Sequence, residues 1–129
     1  MTTHLLPFVQ IIILQEDIAE VIVNEGVELT LEALTEINEI LISNLKSPYS
    51  LLINKRNHYS LPLEVQQQMS TLKKVNARAV VVYDLLSEAN ASMITVFAKG
   101  KTQKHQVFQD RESALEWLQT IQRNSRASV

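Results

Sequence analysis

The chain has 129 residues, 46% of them apolar and 20% charged, with a net charge of −2; this is the size and make-up of one soluble domain with its own core. It contains no cysteine, which excludes disulfides, thiolate nucleophiles and cysteine-built zinc sites. Its two glycines and three prolines leave little for linkers or glycine-rich phosphate cradles.

The first apolar stretch, "LLPFVQIIIL", is too short to span a bilayer and runs straight into "QED". It reads as a strand rather than a signal peptide, with His4 in a short leading tail. "FVQIIIL" (8–14) and "IAEVIV" (18–23) are rich in β-branched residues and are separated by Gln15-Glu16-Asp17, so they predict a hairpin. Asn24-Glu25-Gly26 breaks the pattern. Thr30 is placed to cap a helix over about 30–45, with Glu32 in its first turn and Leu34, Ile37, Leu41 and Leu45 as its apolar stripe. Ser47-Pro48 ends that helix.

"YSLLIN" (49–54) is a short strand, and "KRNHYS" is a basic, aromatic loop. A second helix opens near Pro62 with Val65, Met69 and Leu72 on one side. Lys73 and Lys74 suit its last turn, and Asn76 its C-terminal stop. "ARAVVVY" (77–83) is the run expected of a strand buried on both faces. Leu86, Ala89, Met93, Val96 and Phe97 predict a third helix over about 85–98. "KHQVFQ" (104–109) is the last strand. Asp110 caps a last helix striped by Ala114, Trp117, Leu118 and Ile121, and a polar tail closes the chain. The order β-β-α-β-α-β-α-β-α implies an α/β domain with an N-terminal hairpin and a mostly parallel sheet.

Charge is unevenly spread. No Lys or Arg precedes Lys46, whereas eight acids do: Glu16, Asp17, Glu20, Glu25, Glu28, Glu32, Glu36 and Glu39. All twelve basic residues lie from Lys46 onward, against six acids. The plain reading is solvated surface charge; the sharper one is a polar molecule whose ends attract opposite partners, a second copy among them.

The ending "HQVFQDRESALEWLQTI" resembles the closing strand and helix of the SpoIIAA-like (STAS/SEC14-like) proteins, at Phe108, Asp110, Ala114, Trp117 and Leu118. The element order is similar from about 8 to 122, which implies a single SpoIIAA-like domain spanning 1–129 with a polar C-terminal tail. "YSLLINKRN" resembles the family's central strand and following turn, where relatives often carry an aspartate; this chain has Asn54 or Asn57 there. Phosphorylation-controlled members open the second helix with Asp-Ser-Ser-Gly. The corresponding "HYSLPLEV" lacks that motif, although Ser60 lies within it.

Catalytic and metal signatures are missing. His4, His58 and His105 stand far apart, and no His-Glu-x-x-His or Gly-x-Ser-x-Gly occurs. No catalytic residue, cofactor or metal is therefore expected. The cluster at Lys55, Arg56, His58 and Tyr59 is too small, in a slightly acidic protein, for nucleic acid. The loop Lys55, Arg56, His58, Tyr59 and Ser60 comes directly after a strand end, where α/β sheets meet ligands and partners. It is the candidate partner-binding site. The expectation is a cytoplasmic, non-enzymatic STAS-like regulatory or protein-interaction module with a protein partner, a homodimer included, and no membrane or nucleic acid. The alternative is a small apolar-ligand-binding domain with Met69, Leu86, Met93 and Phe97 as pocket residues.

Overall fold

The computed structural model describes residues 2–69, 74–83 and 104–127. Six strands form one sheet in sequence order: β1 (Thr2–Leu5), β2 (Val9–Gln15), β3 (Ile18–Val23), β4 (Tyr49–Asn54), β5 (Val75–Val81) and β6 (Lys104–Phe108). Three helices are described: α1 (Leu31–Asn44), α2 (Leu63–Met69) and α3 (Arg111–Ala127). The fold is thus α/β.

The sheet is mixed rather than mostly parallel. β1 pairs antiparallel with β2 and β2 with β3, whereas β3–β4, β4–β5 and β5–β6 are parallel. The physical reason lies in the connections. Short turns, such as the one around Pro7 in which the Leu6 N–H donates to the Val9 carbonyl at 2.9 Å, can only reverse a strand. The predicted hairpin is present, and β1 is an extra strand where the sequence predicts a tail: Thr2 registers against Ile13 and His4 against Ile11.

Two apolar layers cover the sheet. On one face Ala19, Val21, Tyr49, Leu51, Ile53 and Val80 pack with Leu34, Ile37 and Leu41 of α1 and Val65 of α2. On the other, Leu52, Ala77, Ala79 and Val81 pack with Ala114, Leu118 and Ile121 of α3. Burial on both faces explains why all of β3 and β4 is inside, and Val80, Val81 and Val82 with them. The alanines of β5 let α3 lie close. Trp117 stacks at a tilt on Phe108, with ring centroids 5.5 Å apart.

The caps behave as the sequence predicts. The Thr30 hydroxyl accepts from the Ala33 N–H at 3.0 Å, and Asp110 accepts from the Ser113 N–H at 2.8 Å. Each described helix has a glutamate in its first turn, Glu32, Glu64 and Glu112, where the dipole favours it. Thr30→Ala should cost about 1 kcal/mol; an unchanged urea midpoint would show that the hydroxyl contributes nothing to α1.

Other boundaries shift. Lys74 sits in a turn and Asn76 lies inside β5, not at a helix stop. α3 continues through the predicted polar tail to Ala127, because Arg126 donates to the Pro48 carbonyl at 3.0 Å and the Lys46 carbonyl at 3.2 Å. The predicted helix 85–98, with Leu86, Met93 and Phe97, falls outside the described residues, as does Lys73.

Candidate functional site

The loop after β4 is fastened at every step. The Lys55 N–H donates to the Val81 carbonyl at 3.0 Å, and Asn57 Nδ2 to the Val23 carbonyl at 3.0 Å. The His58 carbonyl accepts from the Gly26 N–H at 2.8 Å, and the His58 N–H donates to the Glu25 carboxylate. Ser60 exchanges backbone hydrogen bonds with Val27 and Leu29, at 2.8 and 3.0 Å. Gly26 holds a φ of +77°, which a side chain would strain, so the partner turn depends on this glycine.

This fastening divides the five predicted residues. Arg56, His58 and Ser60 face solvent. Lys55 is only 3% exposed, and its ammonium lies 4.0 Å from the centre of the Tyr59 ring. Tyr59 packs against the α1 side core, and burial pushes its phenol above the ordinary range. Lys55 is therefore buried and Tyr59 half-buried, apart from the three exposed residues of the loop. Lys55 and Tyr59 hold the loop down, and the reason is the apolar body that both side chains offer.

Tyr59 belongs instead to a cleft between the sheet and α1. Its walls are Val21, Val23, Leu51 and Ile53 from the strands and Leu34, Ile37 and Leu41 from α1, with Leu29, Tyr59, Leu61 and Met69 completing the lining. Met69 is the one predicted pocket residue within the described chain, and it does line this cleft. The cavity is about 40 Å³. That admits a compact group of a few heavy atoms, not a drug-sized ligand of roughly 300 Å³ or more. Asn38 and Arg78 are the polar residues on its walls.

Arg78 comes from the centre of β5 and is 1% exposed. Its Nη2 donates to the carbonyl of Met69, the last residue of α2, where a cation meets the negative end of the helix dipole. Desolvation lowers the guanidinium pKa to about 10, against a small upward pull from Tyr49, so it is charged at neutral pH. The Tyr49 hydroxyl donates to Asn38 Oδ1 at 3.3 Å.

The opposite face of the sheet carries two polar clusters that tie α3 down. In the first, Arg111 grips the Glu20 carboxylate from Nη2 at 2.8 Å and from Nε at 3.1 and 3.2 Å. Asn54 Nδ2 donates to the same carboxylate at 2.9 Å, and the Tyr83 hydroxyl to Asn54 Oδ1 at 2.8 Å. In the second, Gln122 bridges Ser50, Asn76, Asp17 and the Pro48 carbonyl. Asp17 and Glu20, which the sequence places among solvated acids, are thus buried. Burial is the largest single influence on each and raises its pKa, but the hydrogen bonds and arginines around each together prevail and leave it lowered.

Both clusters are hydrogen-bonded networks between α3 and the sheet. Among the described residues no three His, Asp or Glu side chains gather as a metal site. No helix among them is long and apolar enough to cross a membrane. Arg78 carried a signal in the sequence: a lone charge inside "ARAVVVY" stands out where both strand faces are covered. Glu20 and Gln122 carried none, since Arg111 lies 91 residues from Glu20 and Asp17 lies 105 from Gln122.

The family described as Domain of unknown function (DUF7793) matches residues 12–122, and the chain belongs to it. No curated protein matches the chain, and no solved structure does.

Proposed function

We propose that this DUF7793 member is a non-enzymatic binding domain that takes a small apolar ligand in the cleft between its sheet and α1. The observation that carries the proposal is the cleft lining. Eleven of the thirteen residues around it are aliphatic, aromatic or methionine, and the loop after β4 contributes two of them, Tyr59 and Leu61. Concave apolar sites with few polar groups are the usual form of small-molecule pockets. Met69 lies at the end of α2, and its flexible thioether widens or narrows the space at low cost. Native mass spectrometry of freshly purified protein tests the reading. A co-purifying small mass that leaves on denaturation is expected; a bare chain mass, with no binding of added small hydrocarbons or alcohols, would remove it.

A second reading has its own support. The resemblance to STAS-like proteins and the exposed crest Arg56, His58 and Ser60 favour a cytoplasmic regulatory module that binds another protein or a second copy. Here Arg56→Ala with His58→Ala should shorten the lifetime of any complex seen by light scattering while leaving the fold intact. A complex that survives both substitutions takes this crest out of consideration.

A further inference from the structure

The two sides of β1 are not alike. The bond from the Leu6 N–H to the Val9 carbonyl makes those residues a hydrogen-bonded pair, and such pairs alternate along an antiparallel ladder. Carried along the register, His4 pairs in this way with Ile11 and Thr2 with Ile13. The N–H and carbonyl groups of Thr3 and Leu5 therefore point away from β2, and among the described residues no strand pairs with them. Edge strands are commonly blunted by lysine, proline, a bulge or an inward charge. β1 has none of these. It reads Thr2, Thr3, His4, Leu5, and no Asp, Glu, Lys or Arg precedes Glu16. The register shift in β2, between Ile13 and Gln15, is against β3 and leaves β1 straight. Leu5, on the α3 face of the sheet, is 75% exposed.

We infer that β1 is an interaction surface for a second copy of this chain, pairing antiparallel with the copy's β1 about a two-fold axis at His4. This register sets Thr3 of each copy against Leu5 of the other, so all four outward groups of each β1 are used. Centring the pair on Leu5 would instead set Thr3 against Pro7, which has no N–H. An uncharged strand meets no like charge in its own copy, and the two Leu5 side chains become diagonal neighbours on one face. The inference is independent of the cleft and of the loop after β4. A four-residue strand gives a small interface, so sedimentation should show the dimer growing in as the full chain is concentrated to about 0.5 mM. Leu5→Pro removes an N–H that β2 does not use, and should weaken the dimer at least about tenfold. Leu5→Lys should do the same and serves if the proline variant does not fold. His4→Cys supplies the only thiol, opposite its own copy at about 4.5 Å between Cα atoms, and should oxidise to a disulfide dimer. Thr3→Cys faces Leu5 of the other copy and should cross-link far more slowly. A monomer at every concentration overturns the inference, as does a dimer that both Leu5 variants leave intact. Equal cross-linking of the two cysteine variants, or a dimer lost on Arg56→Ala with His58→Ala instead, overturns it as well.

Discussion

Gln122→Ala is expected to cost about 3 kcal/mol, the sum of one orphaned buried hydroxyl and a new void. Gln122 is 1% exposed and uses both ends of its amide. Oε1 accepts from the Ser50 hydroxyl at 2.6 Å and from Asn76 Nδ2 at 2.8 Å. Nε2 donates to Asp17 Oδ2 at 2.8 Å and to the Pro48 carbonyl at 3.0 Å. The side chain therefore joins α3 to the starts of β3, β4 and β5. Asp17 and Pro48 keep Arg126 in the variant, and Asn76 keeps Ser125. The Ser50 hydroxyl loses its acceptor, and it lies in the interior. Urea denaturation gives the measurement. A loss below about 1 kcal/mol would mean that the interior relaxes or admits water at this point.

Gln122→Glu sharpens the test because it changes charge and not shape. A carboxylate then stands where an amide N–H faced Asp17, and two anions cannot both ionise there. One of them takes up a proton in the folded chain at a pH where the unfolded chain has lost it. A raised folded pKa of this kind makes stability rise as pH falls through the window above the ordinary carboxylate range. The unaltered protein behaves in the opposite sense. Its Asp17 pKa is lowered, so its contribution is complete above the ordinary value near 3.8 and fades as pH falls through the lower folded value. The penalty of Gln122→Glu should thus shrink between pH 7 and pH 4.5.

What could be read ahead of the structure divides along physical lines. Strands β2 to β6, helices α1 and α3 and their caps are local properties: period, β-branching and a capping hydroxyl lie within a few residues of one another. The mixed sheet was half legible. The hairpin was visible in the Gln15-Glu16-Asp17 break, but Thr2–Leu5 is polar at its start and pairs only because β2 offers an edge. Burial of charge was hidden. Glu20 sits on a strand whose alternation was clear, yet nothing near it says that Arg111 will cover it, 91 residues on. The loop 55–60 illustrates the same limit at short range. Its residue types suggested a surface, whereas Lys55 and Tyr59 use their apolar stems and rings to close one. The polar ending of α3 misled for the converse reason: "NSRASV" has no apolar stripe, but Arg126 finds three carbonyls and Asp17 at the foot of the sheet.

Arg111→Ala should cost about 2 kcal/mol at pH 7, less than a fully buried ion pair because the arginine is 41% exposed while Glu20 is 4% exposed. The cost comes mostly from the carboxylate left behind, not from the attraction lost. Desolvation is the largest influence on Glu20 and acts to raise its pKa; Arg111, Asn54 and Arg56 together overcome it, and removing Arg111 is expected to let desolvation prevail. This yields two expectations that simple loss of a surface contact would not. First, Glu20→Gln combined with Arg111→Ala should be more stable than Arg111→Ala alone, since a neutral amide is cheaper to bury than an unpaired anion. Second, the deficit of Arg111→Ala should be smaller at pH 4 than at pH 7. In the unaltered protein the Glu20 pKa is lowered from 4.5, so its stabilisation persists as the pH drops to that value and is lost only as pH falls through the lower folded one. In the variant the folded pKa rises, so the folded chain gains protons first and recovers stability as pH falls toward 4. A deficit that is equal at both pH values, with no recovery in the double variant, would show that the carboxylate is solvated after all and that Arg111 does not hold α3 to the sheet by charge.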